Sequence, residues 1–498
     1  MTWALLLSVF AIASCGLAYE LVSGALASYL LGDSVTQFST IIGAYLFAMG
    51  AGSYVSRFIG RGLVMRFIQI EIAVGVIGGF SAAVMFLAFS YLGSLRFVLF
   101  GFVIAVGILV GVEIPLLVRI LKARIQFKDL VSQVLTFDYL GSLAASLLFP
   151  LVLAPKLGLV RTCLMFGLLN TIVALATVWM FRRDLPGVRW LGGQCLVAVA
   201  VLTAGFAAAD RLTTFAEQNL YADEIILART TPYQRIVVTR WQDDVRLFLG
   251  SHLQFSSRDE YRYHEALVHP GLQAVPQPKQ VLVLGGGDGL AVREILKHPG
   301  VEHVTLVDLD GEVTRLFSTN TFLRSLNQDS LTAPPVTVVN ADAFIWLQAD
   351  RGFYDFVVID FPDPTSHALG KLYTTAFYRL LERHLSAQAI VAVQATSPLF
   401  ARKSFWCIAR TIESVGLSVA PYHVYVPSFG EWGFVIASKR AYQPPSSVPP
   451  GLRFLTAEVI RQLFLFPPDM QPVPVELNRL DNQILVQYYD AEWHMVTQ

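Results

Sequence analysis

Two carboxylates stand close together in Asp360-Phe361-Pro362-Asp363-Pro364, directly after the apolar run Phe356-Val357-Val358-Ile359. Prolines restrict the loop, so both acids can be held toward one pocket. A carboxylate so placed can take a proton from an amine or balance a cation. A blander reading has Asp360 capping the next helix and Asp363 in solvent. Three further acids, Asp288, Asp308 and Asp342, follow other apolar runs. Five acids at one sheet edge would repel one another unless a cationic ligand joined them.

The glycines explain how a ligand could come near. Val281-Leu282-Val283-Leu284 runs into Gly285-Gly286-Gly287-Asp288-Gly289, and Leu290 to Lys297 reads as a helix. That is the strand, tight turn and helix start of a nucleotide-binding unit. A second apolar run, His303 to Val307, ends in Asp308, about twenty residues past the loop, where such folds set an acid on a ribose diol. The spacing is not the G-x-G-x-x-G of a dinucleotide site. Asp288 inside the loop would repel a pyrophosphate or an amino-acid carboxylate and attract an amine. The implied ligand is a cationic adenosyl compound.

The elements that position these residues occupy only the later part of the chain. Its 498 residues exceed one ordinary domain, and 54% hydrophobic with 15% charged residues is unusual for a soluble protein. The excess lies before residue 210, where seven apolar spans are predicted at 4–30, 38–55, 67–90, 97–118, 131–153, 160–180 and 188–208. The first lacks a basic leader and is too long for a cleaved signal peptide. Net charge is zero with no basic stripe, which argues against nucleic acid. Cys15, Cys163, Cys195 and Cys407 form no C-x-x-C pair, so neither a disulfide framework nor a zinc site is expected.

Basic residues collect in alternate loops: Arg57, Arg61 and Arg66; Arg119, Lys122, Arg124 and Lys128; Arg182, Arg183 and Arg189. The other loops hold little beyond Arg96, Lys156 and Arg161. The first set should face the cytoplasm. With seven crossings that puts everything after residue 210 outside, whereas an enzyme using an adenosyl cosubstrate is expected inside; the expectation adopted is a cytoplasmic catalytic domain on the cell (inner) membrane. Glu20, Glu71, Glu113 and Asp138 fall within or beside the spans. Each would cost about 2.5–3.5 kcal/mol at the lipid centre, so they should face the bundle interior or an interface, as structural groups or as a cation site.

From Tyr221 onward the pattern is that of a soluble α/β protein. Residues 222–256 read as a small antiparallel sheet and 258–275 as a helix, with Pro276 and Pro278 before the first core strand. Later strands are expected at Pro335 to Val339, Phe356 to Ile359, Ala389 to Gln394 and Gly433 to Ala437, and Pro444 to Pro450 marks a break. The fold class is an N-terminal multi-pass α-helical membrane domain and a C-terminal α/β Rossmann-like domain preceded by a small antiparallel β-sheet. Boundaries are expected at 1–210, 211–275, 276–442 and 443–498.

The glycine loop, the Asp360-x-x-Asp363-Pro364 loop, Tyr233-Gln234, and Gln254 ahead of Asp259-Glu260-Tyr261-Arg262-Tyr263-His264-Glu265 together resemble the spermidine synthase (polyamine aminopropyltransferase) family over residues 222–440. The seven-span N-terminus resembles its membrane-anchored bacterial branch. The resemblance implies a class I S-adenosylmethionine-type fold, decarboxylated S-adenosylmethionine as cosubstrate, no metal or other cofactor, a diamine such as putrescine as acceptor, a lipid bilayer around the N-terminus, and a homodimer or homotetramer. It implies Asp360 as general base assisted by Tyr263. Gln234, Gln254, Asp288, Asp308 and Asp342 would bind the donor, with Asp308 on the ribose, Asp342 on the adenine amino group and Asp288 on the aminopropyl ammonium. His264, Glu265 and Asp363 would serve the acceptor. Phe361 and Pro362 depart from the small hydroxylated residues usual between the loop acids, and Tyr425 is the nearest substitute for a tyrosine expected near Pro427-Ser428-Phe429-Gly430. The alternatives are an S-adenosylmethionine-dependent methyltransferase and a membrane polyamine sensor or transporter.

Overall fold

The computed structural model describes residues 2–31, 34–91, 95–122, 127–221 and 223–496. They form two compact units, Met1–Ile225 and Ile226–Gln498.

The first unit is built from helices α1 (Thr2–Leu31), α2 (Ser34–Ser56), α3 (Leu63–Tyr91), α4 (Leu95–Leu121), α5 (Phe127–Leu148), α6 (Ala154–Met180) and α7 (Val188–Leu220). Unbroken apolar sequence makes them hydrophobic on most sides. Among the described residues, six stretches are long and apolar enough to cross a membrane, one fewer than the seven predicted spans. The difference lies in Asp129–Met180, where α5, a π turn at Phe149–Leu153 and α6 run together. Pro150 lies inside the turn and Pro155 just after it, and Gly158 at φ 74° and ψ 170° breaks the helix between the fifth and sixth predicted spans. Arg124, one of the loop charges, lies outside the described residues.

Helices α3 and α6 meet backbone to backbone: a Cβ on Gly167 would lie 2.4 Å from the Gly75 carbonyl. Four residues from Gly75, Glu71 is buried and accepts from Asn170 Nδ2 at 3.0 Å. Glu113 is buried too, so these two take the interior alternative of the expected interior-or-interface placement, whereas Glu20 and Asp138 are partly exposed.

The second unit opens with an antiparallel sheet of β1 (Glu224–Thr230), β2 (Arg235–Trp241), β3 (Asp244–Leu249) and β4 (His252–Ser256), in that order, followed by α8 (Glu260–Leu272). The chain continues through β5 (Gln280–Gly285), α9 (Leu290–Ile295), β6 (His303–Asp308), α10 (Gly311–Thr319), α11 (Thr321–Asn327), β7 (Val336–Asn340), α12 (Ala343–Ala349) and β8 (Tyr354–Asp360). It then forms α13 (His367–Gly370), α14 (Thr375–Glu382), β9 (Leu385–Gln394), α15 (Arg402–Glu413), β10 (Ser418–Val426), β11 (Gly430–Ser438), α16 (Ala457–Leu463) and α17 (Ile484–Val496).

Seven of these strands make one sheet in the order β10-β11-β9-β8-β5-β6-β7, with β11 antiparallel to both neighbours. Successive residues of β5 enter different cores, Val281 and Val283 on one face, Leu282 and Leu284 on the other. Burial on both faces accounts for strands that read as continuous apolar runs. Chain order reverses between β5 and β8, which opens a crevice at their carboxyl ends.

Candidate active site

The glycine loop and the acids that follow β5, β6 and β8 lie at that edge of the sheet, with Asp342 beyond them after the edge strand β7. Gly285 and Asp360 are register partners on β5 and β8. Gly285 has φ 82°, and a Cβ there would sit 2.2 Å from the Asp360 carbonyl, so only glycine lets the strands come this close. Asp308, at the end of β6, closes the other side. Its Oδ2 accepts from Gly287 N at 3.0 Å and its Oδ1 from Asp310 N at 2.8 Å. Asp288 is buried and accepts from Leu290 N at 2.9 Å. Burial pushes the carboxyl groups of Asp288 and Asp308 up to about 6.

Asp360 Oδ1 accepts from the Tyr263 hydroxyl at 2.6 Å. Burial raises this carboxyl, against the opposing pull of nearby His264 and of the Tyr263 hydrogen bond. His264 is itself buried, which lowers its pKa, but its Nδ1 lies 2.8 Å from Glu260 Oε2 and the net shift is upward. Arg293 anchors Glu260 with two nitrogens, at 3.0 and 2.9 Å. A protonated His264 thereby supplies positive charge near both Asp288 and Asp360.

Asp363 Oδ1 accepts from Gln394 Nε2 at 2.9 Å, and its Oδ2 from Thr396 Oγ1 at 3.2 Å and the Tyr489 hydroxyl at 2.9 Å. The bland reading of the loop therefore fails: Ser366, not Asp360, caps α13, and Asp363 is engaged rather than solvated. Phe361 packs in the core against Tyr373 and Phe377, and the Tyr373 hydroxyl donates to the Phe361 and Pro362 carbonyls. Of the two departures from the usual loop residues, Phe361 thus fastens the loop through its ring.

Of the other expected residues, Gln234 reaches the Asp308 side, where its Nε2 donates to Asp310 Oδ2 at 3.1 Å beside Thr231. Gln254 is the extra residue of a bulge, since Phe255 pairs with Leu247 and Leu253 with Phe248. Bulges re-aim side chains; here the amide turns back to the His252 carbonyl at 3.2 Å. Asp342 caps α12 through Phe344 N and Ile345 N and pairs with Lys371 Nζ at 2.6 Å.

Two expectations are corrected. Glu265 does not face the crevice: it is buried and accepts from the backbone nitrogens of Arg453, Phe454 and Leu455 at 2.7, 2.9 and 3.0 Å, tying the chain beyond the proline-rich break to α8. Two residues along a helix is a rotation of about 200°, so Tyr263 and Glu265 point to nearly opposite sides and cannot share one target. Tyr425 is 54% exposed, and its carbonyl accepts from Arg262. The phenol beside the loop acids comes from Tyr489 instead. Sequence reasoning also passed over Gln394 and Thr396, although a polar Gln394-Ala395-Thr396 after an apolar strand was a usable signal; Tyr489, far along the chain, gave none.

Residues 260–446 match the family model described as "Spermine/spermidine synthase domain". Over the full length, the chain is similar to a polyamine aminopropyltransferase of Leptospira interrogans, 55% identical over 496 residues with 100% of both chains covered. Polyamine aminopropyltransferase 2 of Ralstonia nicotianae is 55% identical over 504 residues, covering 99% of this chain and 98% of its own. Polyamine aminopropyltransferase 1 of Streptomyces coelicolor is 44% identical, covering 98% and 94%.

Proposed function

The chain belongs to the spermine/spermidine synthase family of polyamine aminopropyltransferases, and from that membership we propose that it moves the aminopropyl group of decarboxylated S-adenosylmethionine to putrescine, giving spermidine and methylthioadenosine. One observation carries the reading: Asp288, Asp308, Asp360 and Asp363 converge on the β5/β8 crevice, with a glycine loop that admits the donor. Such an acid set suits two amine-ended substrates and disfavours a donor bearing a carboxylate.

In this proposal Asp308 binds the ribose diol, Asp342 the adenine amino group and Asp288 the donor ammonium, while Gln234 and Gln254 line the donor side. Asp363 holds the distal ammonium of the acceptor. The attacking nitrogen must be neutral. An alkyl amine with a pKa near 10.4 loses its proton at a cost of about 4–5 kcal/mol at neutral pH. Asp360 takes that proton, oriented by Tyr263, as the nitrogen bonds to the propyl carbon and the carbon–sulfur bond breaks. The sulfonium leaves as a neutral thioether and needs no acid. Alignment of the two substrates supplies much of the remaining rate.

The N-terminal helices we assign to a multi-pass anchor in the cell membrane, with the second unit on the cytoplasmic side, where the donor is made, and with a homodimer or homotetramer as the working form. Their length and apolar composition support the anchor. Cysteine-accessibility labelling in intact cells tests the topology: labelling at position 229 by a membrane-impermeant reagent from outside would reject a cytoplasmic second unit. The reaction is tested by mass analysis of products from the purified full chain, offered decarboxylated S-adenosylmethionine or S-adenosylmethionine with a panel of diamines. Methyl transfer without aminopropyl transfer would overturn the proposal.

A further inference from the structure

Asp363 is half-buried, and no lysine or arginine pairs with it among the described residues. The structural carboxylates of this unit are spent on the backbone: Glu265 accepts from three backbone nitrogens and Glu492 from two and a serine hydroxyl. The hydrogen bonds to Asp363 come instead from three neutral groups: Gln394 at the end of β9, Thr396 just after it, and Tyr489 on α17. They orient the carboxylate while leaving its negative charge unspent. Two oxygens offer about four acceptor sites, so room remains for an ammonium.

The first two partners are fixed from within the sheet. Gln394 Nε2 also donates to the Phe361 carbonyl at 2.8 Å, and its Oε1 accepts from Thr396 N at 2.8 Å and Trp432 Nε1 at 3.2 Å, which settles which way the amide points. Thr396 has φ 59°, a left-handed conformation that costs a non-glycine residue energy and recurs at working sites. Tyr489 comes from elsewhere, beyond the residues 260–446 that match the family domain.

Its helix is firmly held. One turn from Tyr489, Glu492 accepts from Lys403 N at 2.6 Å, Ser404 N at 3.1 Å and Ser404 Oγ at 2.8 Å at the start of α15. Trp493 packs against Tyr489 and against Phe400. Burial and the adjacent Asp363 keep the phenol well above its usual range, so it stays a donor at every working pH.

We infer that Tyr489 is a positioning residue for the acceptor: the C-terminal helix sets the orientation of Asp363 and thereby the binding of the acceptor's distal ammonium. This rests on Asp363 being the acceptor carboxylate. The other ionisable groups facing it are His252 of β4, Tyr263 of α8, Asp360 and Tyr373. None of them changes in a Tyr489→Phe protein, which loses one hydroxyl and keeps the ring packing.

Full-length Tyr489→Phe and Asp363→Asn proteins, purified in detergent, are compared with the parent for acceptor KM, donor KM and the pH profile of acceptor kcat/KM. Tyr489→Phe should raise acceptor KM about tenfold and leave donor KM within about twofold, the loss of one hydrogen bond to a charged group. It should also move the acid limb of the profile to higher pH, because a donor to the charged form has gone. If Asp363→Asn raises acceptor KM while Tyr489→Phe leaves acceptor KM and the limb unchanged, the role of Tyr489 is overturned and Asp363 keeps its own. If Tyr489→Phe lowers only the melting temperature, the residue docks the helix and nothing more. If Asp363→Asn leaves acceptor KM unchanged, the assignment of Asp363 fails and takes that of Tyr489 with it.

Discussion

The Tyr263 hydroxyl engages only one oxygen of Asp360. Oδ1 accepts from the phenol at 2.6 Å, while Oδ2 lies on the glycine-loop side, 3.2 Å from the point where a Cβ of Gly286 would stand. In the proposed reaction the first oxygen orients the group and the second takes the proton.

Asp360→Asn keeps this shape but removes the base. We expect kcat to fall at least about a hundredfold with donor affinity little changed. Near-normal turnover in a steady-state assay would exclude Asp360 as the proton acceptor.

Asp308 is held by two backbone nitrogens, and in the proposed reaction it binds the ribose diol. Asp308→Ala should weaken donor binding by about 1.5–3 kcal/mol, the range for hydrogen bonds to a charged group. Titration calorimetry checks this, and an unchanged dissociation constant would remove Asp308 from the donor site.

The raised carboxyl groups fix the sign of a pH effect. Asp288 and Asp308, pushed by burial up to about 6 from the ordinary carboxylate range, are protonated as pH falls through 6, and a cationic donor then has to displace those protons. Donor affinity should drop by up to about tenfold per pH unit and per bound proton below pH 6. Calorimetry at pH 5.5 in buffers of different ionisation heat should reveal proton release. By the same linkage, the stability these two groups contribute is complete below about pH 4 and lost as pH rises through about 6, so ligand-free protein should gain most from the donor at neutral pH. Donor affinity that is flat between pH 5.5 and 7.5 would contradict the first statement, and a ligand-free melting temperature that does not fall as pH rises from about 4 to about 6 in an Asp288/Asp308-dependent way would contradict the second.

Glu265 provides a contrasting test. Its carboxylate satisfies three backbone nitrogens of the C-terminal extension. Glu265→Ala should cost at least about 2 kcal/mol of stability through unsatisfied buried donors, with acceptor KM unchanged in the protein that remains folded. A selective rise in acceptor KM at unaltered melting temperature would return Glu265 to the substrate site.

Much of the site was legible because its parts are local. The glycine run, Asp308 one strand later and the Asp360/Asp363 loop each follow an apolar strand, and in an open parallel sheet every such strand ends at the same edge. The periodicity that marks a strand therefore also brings these acids together. The apolar N-terminal helices were visible for the same kind of reason, since length and composition are properties of the chain itself. Tertiary structure decided what depends on direction and distance. Tyr263, His264 and Glu265 are consecutive, yet the helical turn sends one to Asp360, one to Glu260 and one to the C-terminal extension. That α5 runs through a π turn into α6, and that the helix is interrupted at Gly158, is a matter of backbone conformation. Tyr489 reaches Asp363 across 126 residues because α17 docks on α15 through Glu492. No periodicity encodes such a contact; it exists only once the separate elements have packed.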